Sequence, residues 1–310
     1  MKSSRFYSRS WLAAGLVVSA GALGLVSAAG LTHASVVADW NANTLGTGAL
    51  SAGNTWTDSV SGISASAAGT GLSVNNTAGQ FNGHNYITFG GSGNFVVPSG
   101  SVAQPISNFS ITVVFDTTTA NGSGDFPGNS DWYDANGLVG NEQPGIANDW
   151  GFGVAGTSSN TSGGLVFGEG NTTVNQDQQV RANYTYTGGN TIIATATRDA
   201  STGAVVIYIN GVAVSQQYEP AGVTSMATTD RLTSTFLIGA MDNYTNTDRY
   251  FNGNIAEVQI DNSVVNADTV YNSLAPTYAL PQASVPEPAS LGLCAVGALG
   301  LLLLKRRKMA

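Results

Sequence analysis

The sequence predicts an all-β protein: a two-sheet antiparallel sandwich with an apolar helix at each end of the chain. Three observations carry that reading. Nothing between Ser35 and Pro281 sustains an apolar period of 3.6 residues. Short alternating runs separated by Gly, Asn, Ser and Thr fill the span instead, as half-buried strands joined by tight turns would. About 250 residues without an internal repeat suit one large all-β domain better than two small ones.

The elements follow in chain order. Lys2, Arg5 and Arg9 precede an apolar stretch from Trp11 to Leu31, and Thr32 and Ala34 supply small residues before a cut. This is the pattern of a secretory signal peptide over residues 1–34. Val26 and Ala28 offer a second cut, and an uncleaved anchor is the alternative, since the apolar stretch of about 20 residues is long. The chain is exported on either reading. "FSITVVF" puts Phe109, Ile111, Val113 and Phe115 on one face of a strand. "TIIATATRD" is a second strand and "VVIYI", Val205 to Ile209, a third. The latter runs into Asn210-Gly211, a pair that tolerates positive φ at both central positions of a two-residue hairpin. "TFLIG" and "GNIAEVQI" are later strands, and Asn266-Ala-Asp268 can cap a short helix over "TVYNSL". The domain is read as 35–275, with a proline-containing linker over 276–284.

Residues 289–304 are apolar and uncharged, and Lys305, Arg306, Arg307 and Lys308 follow at once. As a helix the segment would reach about 24 Å, short for a full membrane span, with its cations held in the cytoplasm. Pro286, Glu287 and Pro288 precede it. Together these parts, over 285–310, resemble the PEP-CTERM sorting signal of exported bacterial proteins. That resemblance implies recognition by an exosortase, a membrane transpeptidase that removes the tail. The protein would meet the inner membrane transiently through this helix and end in the cell envelope or outside the cell.

Composition narrows the partners. Between residues 35 and 284 four arginines and no lysine stand against eighteen acidic residues, a formal charge of −14. A surface of that sign repels nucleic acid and anionic polymers, and suits neutral sugars or divalent cations. The one cysteine, Cys294, lies in the tail, so the exported domain has neither a thiol nucleophile nor a disulfide.

Three strand-like pieces carry a further resemblance: "ATRDASTGAVVIYINGVAV", "FLIGAMDN" and "FNGNIAEVQIDNSVVNADTV". As an ordered set they are similar to the second half of a laminin G-like domain, and "VVADWNANT" fits its opening strand. The resemblance implies the concanavalin A-like jelly roll of two antiparallel sheets over about 240 residues. One departure is Tyr186-Thr-Gly-Gly-Asn-Thr191, where many relatives have Trp-His before the Arg-Asp strand.

Enzymes occur on this jelly roll, so catalytic patterns need testing. Glycoside hydrolases set two carboxylates on alternate positions of one strand. Here only Glu257 and Asp261 share a strand, four residues apart with no third carboxylate, and Glu257 matches the family's structural glutamate. It is expected to accept hydrogen bonds from loop backbone or an arginine, beside a bulge that lets Ile255, Val258 and Ile260 all be buried. His84 is the one histidine after the signal; it sits without a Gly-x-Ser-x-Gly elbow, in the turn before a strand. The expectation is no catalytic residue and no enzyme, with a glycan-cleaving enzyme as the alternative. A polar stretch from Asp125 to Asp149 offers hard oxygen ligands in a Gly-rich loop, as Ca²⁺ requires. Asp131, Asp134, Asn136 and Asp149 are the candidate calcium ligands. Trp132, Tyr133 and Asn136 are the candidate sugar-binding residues, the two aromatics at the surface and Trp150 turned inward. The expected function is therefore binding of extracellular carbohydrate or matrix polymer, with a structural, self-associating surface protein also open.

Overall fold

The computed structural model describes residues 36–101, 107–117, 132–142, 149–156, 162–171, 176–185, 188–218, 235–241 and 249–281. Residues 1–34, read above as a signal peptide, the apolar run 289–304 and the basic cluster lie outside them. No helix among the described residues is long and apolar enough to cross a membrane.

The strands are β1 (Val36–Asn41), β2 (Gly48–Leu50), β3 (Thr55–Thr57), β4 (Ser64–Gly69), β5 (Leu72–Asn75), β6 (Tyr86–Gly90), β7 (Gly93–Val97) and β8 (Phe109–Asp116). They continue as β9 (Asn136–Gly140), β10 (Trp150–Gly156), β11 (Ser162–Asn171), β12 (Gln176–Thr185), β13 (Ile192–Asp199), β14 (Ala204–Ile209), β15 (Val212–Tyr218), β16 (Phe236–Ile238) and β17 (Asn252–Asp261). One helix, α1 (Ala267–Leu274), follows. Nine strands form one sheet in the order β15-β14-β13-β8-β17-β6-β5-β2, with β1 also paired to β17. Eight form the other, in the order β12-β11-β10-β9-β16-β7-β4-β3. Every strand pairing is antiparallel. This is the expected two-sheet sandwich.

Alternation decides what the sheets bury. Phe109, Ile111, Val113 and Phe115 of β8 all enter the core between the sheets, as do Ile192, Ala194 and Ala196 of β13. Aromatic pairs close the layer from both sides: Trp40 meets Phe236 at 6.0 Å and Phe109 meets Phe167 at 5.7 Å. Each such pair contributes about 0.5–1.5 kcal/mol beyond its buried area. The hairpin β14–β15 turns on Asn210 and Gly211, whose φ of 50° and 79° are those of the tight turn their side chains permit.

Arg198 follows the same alternation inward, yet it is a cation with no exposure. Its Nε donates to Glu169 Oε1 at 3.0 Å and its Nη1 to the Ser107 carbonyl at 2.8 Å. Glu169 is on β11 and Arg198 on β13, so this buried ion pair ties one sheet to the other.

Helix α1 begins where Asn266 Oδ1 accepts the Thr269 N–H at 3.1 Å. It covers the outer face of the nine-stranded sheet: Tyr271 packs there with Phe81, Tyr86, Val114, Ile193, Ala256 and Tyr278. Packing continues past residue 275. Tyr278 is 3% exposed, so the segment read as a linker from 276 onward starts as part of the domain. The anchor is its ring, which a solvated linker would leave in water.

Candidate functional site

Three places in the fold bear on function: the rim around Trp132, the outer face of β17, and the C-terminal tail. At the rim, a 3-10 turn, Trp132–Asp134, leads into β9. Trp132 was expected at the surface; instead it is 1% exposed, packed with Ala135, Ala155, Val166 and Met241. The reason lies in the neighbouring strands. Along β10 and β11, Phe152 and Phe167 point into the core, while Gly151, Gly153 and Gly168 present bare backbone on the other face. A Cβ at Gly168 would overlap the Trp132 indole, and one at Gly151 would overlap Met241. The glycines thus leave a trough that Trp132 and Met241 fill, so the Trp132 face is closed to a sugar. Tyr133 is half-buried and stacks edge-on to Trp132 at 5.9 Å. Asn136 is buried in β9, opposite Val154. Trp150 is buried in the main core, turned inward as its sequence context suggested.

The four calcium candidates fare as follows. Asp131 lies outside the described residues. Arg249 Nη2 pairs with Asp134 Oδ1, and Arg249 Nη1 donates to the Asp134 carbonyl at 2.9 Å. Asp149, buried at the start of β10, accepts the Gly170 N–H at 3.1 Å through Oδ1. No group of three His, Cys, Asp or Glu side chains among the described residues is arranged to hold a metal. Arg249 pairs with the Asp134 carboxylate, and the β9–β10 register sets Asn136 opposite Val154, five residues along from Asp149, so the described candidates do not meet at one point.

The second place is built by β1 and β17. Their register sets Asn41 opposite Glu257, Asp39 opposite Gln259 and Val36 opposite Asp261. Alternation turns Ala38 and Trp40 into the core, which leaves Asp39 and Asn41 on the outer face. The expected bulge is present, as a register shift between Ile255 and Glu257 against β8. It lets Ala256 pack on the outer face while Ile255, Val258 and Ile260 stay in the core. Glu257 is 5% exposed, and its Oε2 accepts from Asn41 Nδ2 at 2.8 Å and from the Tyr278 hydroxyl at 2.6 Å. The partners are thus two side chains, not loop backbone or an arginine, because β1 and the C-terminal turn lie over this position. Burial, and then the charge of Asp39, push the Glu257 carboxyl up to about 7. The same two causes raise Asp261 to about 6. Burial raises Asp39 too, against the Ser59 hydroxyl that donates to its Oδ2 at 3.1 Å. His84 ends the turn before β6, its Nδ1 3.1 Å from Asn43 Nδ2.

This geometry defines a class: a two-sheet jelly-roll sandwich. It is similar to domain 4 of AbnA, a GH43 extracellular arabinanase from Geobacillus stearothermophilus, solved in complex with arabinotriose. The two share 14% identity over 78% of this chain and 99% of that one, with a TM-score of 0.52. The Ruminococcus gnavus IT-sialidase CBM40 bound to α2,3 sialyllactose is 13% identical over 58% of this chain and 96% of that one, at a TM-score of 0.42. At these identities the likeness is one of fold. No curated protein matches the sequence.

The tail is more particular. Residues 284–308 match the PEP-CTERM protein-sorting motif, which takes in Pro286, Glu287, Pro288 and the four terminal cations. The motif implies export, processing by an exosortase and a membrane-anchored stage on the way to the cell surface.

Proposed function

We propose that the sandwich is a non-catalytic binding module displayed at the cell surface, where it holds neutral extracellular polysaccharide or another uncharged matrix polymer. One observation carries the non-catalytic part. Glu257, the carboxylate that could share glycosidic work with Asp261, is covered by Tyr278 and Asn41, and both donate to it. Acid and nucleophile must flank a sugar in open space, and this face is closed by the protein itself. The formal charge of −14 over residues 35–284 supports an uncharged ligand over an anionic one. The arabinotriose complex of AbnA domain 4, whose fold this chain covers almost fully, supports a sugar.

A glycan array, run with the full chain in calcium and again in EDTA, tests this reading. Specific retention without release of new reducing ends is the expected result. Release of reducing ends would make the protein a glycan-cleaving enzyme, and uniform silence would make it a structural surface protein. Retention lost in EDTA would bring calcium back as part of the site.

A further inference from the structure

We infer that the sugar-binding site is an open cleft beside the C-terminal turn, away from the Trp132 rim, and that it takes a neutral oligosaccharide segment. This inference rests on the proposed binding function and gives it a place. The cleft has a volume of about 630 Å³, within the range of small-ligand sites. Its walls come from five parts of the chain, four of them the turn around Asn82, the lead-in to β13 at Thr191, the hairpin residue Asn210, and Tyr278 to Leu280. Tyr184 of β12 lines it as well.

Backbone strain marks the cleft. Four non-glycine residues among those described have positive φ: Phe81 at 44°, Asn82 at 56°, Asn210 at 50° and Ala279 at 54°. All four line this cleft. Asn210 is accounted for by its hairpin, but no tight strand connection requires the left-handed region at Phe81, Asn82 or Ala279. Outside glycine and asparagine, such a conformation persists only where its surroundings hold it. Here the surroundings do: Phe81 is buried against Tyr86 at 5.1 Å and Tyr278 at 6.2 Å between ring centres. The strain shapes a rim that the packing then keeps rigid.

The chemistry of the lining selects the ligand. Among the described residues, no Asp, Glu, Lys, Arg or His side chain lines the cleft. The nearby carboxylate of Asp116 is spent behind it, accepting the Gly189 N–H at 3.1 and 3.2 Å. The amides are oriented by their own bonds. Asn82 donates Nδ2 to the Thr277 carbonyl at 3.0 Å, which leaves Oδ1 as an acceptor. Asn210 Oδ1 accepts the Ile193 N–H at 3.0 Å, which leaves Nδ2 as a donor. Thr191 adds a hydroxyl able to do both. Fixed donors and acceptors beside the half-buried Tyr184 ring match the hydroxyls and apolar face of a sugar, while the buried Phe81 and Tyr278 hold the wall in place. Among the described residues the lining offers no positive charge to a phosphate, sulfate or uronate. Leu280 stands four residues before the sorting motif begins, so its start lies within about 14 Å of this wall along the chain. A bound polymer would be held beside the point of attachment.

The test uses the full chain and two variants, Thr191→Ala and Asn82→Gly. Glycine accepts the left-handed backbone that Asn82 adopts, so that variant loses the Thr277 bond without backbone strain, and melting curves of both variants check that they stay folded. They are probed on immobilised neutral gluco-, galacto-, manno- and arabino-oligosaccharides, and on uronate- and sulfate-bearing counterparts. We expect the parent to retain neutral glycans and each variant to bind them about tenfold more weakly. Undiminished retention by both variants would overturn the cleft while leaving a binding function in place elsewhere. A parent that retains only acidic glycans would overturn the neutral class, and one that retains none would overturn the binding function together with the cleft.

Discussion

Replacing Glu257 by Gln should stabilise the protein at pH 8 and leave it nearly unchanged at pH 5. The carboxyl ionises near 4.5 in an unfolded chain and at about 7 in the fold, so the folded state holds a proton that the unfolded state has lost. Stability then falls as pH rises through that window, and below about 4.5 the difference vanishes. At about 1.4 kcal/mol per pH unit, the charged carboxylate costs the fold about 3 kcal/mol above pH 7. Glutamine removes the charge and keeps an acceptor. Asn41 and Tyr278 both donate to the one oxygen Oε2, and a carbonyl oxygen with two lone pairs can take both. Asp261 and Asp39 are also raised, so the variant should flatten the pH profile without abolishing its slope. Urea unfolding at pH 5 and pH 8, followed by tryptophan fluorescence, measures the difference. A variant less stable than the parent at pH 8 would refute the argument, because it would mean the charge itself is what Asn41 and Tyr278 require.

Other consequences follow from the same packing. Arg198→Met should cost about 3–5 kcal/mol in urea unfolding, since it removes the cation paired with the buried Glu169 carboxylate, and adding Glu169→Gln should return part of that loss. Gly168→Ala should cost about 1–3 kcal/mol and red-shift the Trp132 emission, because the new methyl must displace a buried indole toward water. Replacing Pro286, Glu287 and Pro288 together should leave export intact and keep the unprocessed chain in the inner membrane, read by mass and fractionation. An Arg249-paired Asp134 predicts melting curves that superimpose in calcium and in EDTA, and a higher melting temperature in calcium would show that the pair opens for the metal.

How much of this was legible in the sequence depends on the range of the signal. Period-two alternation is local, so β8, β13 and β14 could be placed from their own residues, as could the Asn210-Gly211 hairpin and the Asn266 cap. Register is not local. Nothing in "VVADWN" says that Asn41 will face Glu257 rather than Gln259, so the raised carboxyls of Asp39, Glu257 and Asp261 emerge only once β1 is docked. Trp132 was misplaced for a different reason. Beside Asp and Asn it reads as a surface aromatic, but the alternating glycines of "WGFGVAG" and "VFGEG" were a usable clue. A strand face without side chains must be covered by something large. The cleft escaped because five separate segments build it, and none carries a residue pattern that an ordinary turn or strand could not hold.

The position of Glu257 also bears on how a tethered surface protein withstands load. The tail that sorts the chain begins at residue 284, so force on an anchored molecule enters the domain just past Pro281. The first fixed points it meets are the Tyr271 hydroxyl, which donates to the Pro281 carbonyl, and Tyr278, buried under the helix. Tyr278 passes the load to Glu257, and Glu257 passes it to Asn41 on the opening strand. Strand β17 is not an edge. It pairs with β8 along one side and with β6 and β1, end to end, along the other. Pulling it free would shear three strand pairings together, whereas an edge strand such as β15 holds through one. A buried carboxylate that weakens the fold at neutral pH thus sits where both ends of the domain are fastened to its central strand. The turn at Tyr278, which would take up load during the membrane-anchored stage, also walls the proposed cleft.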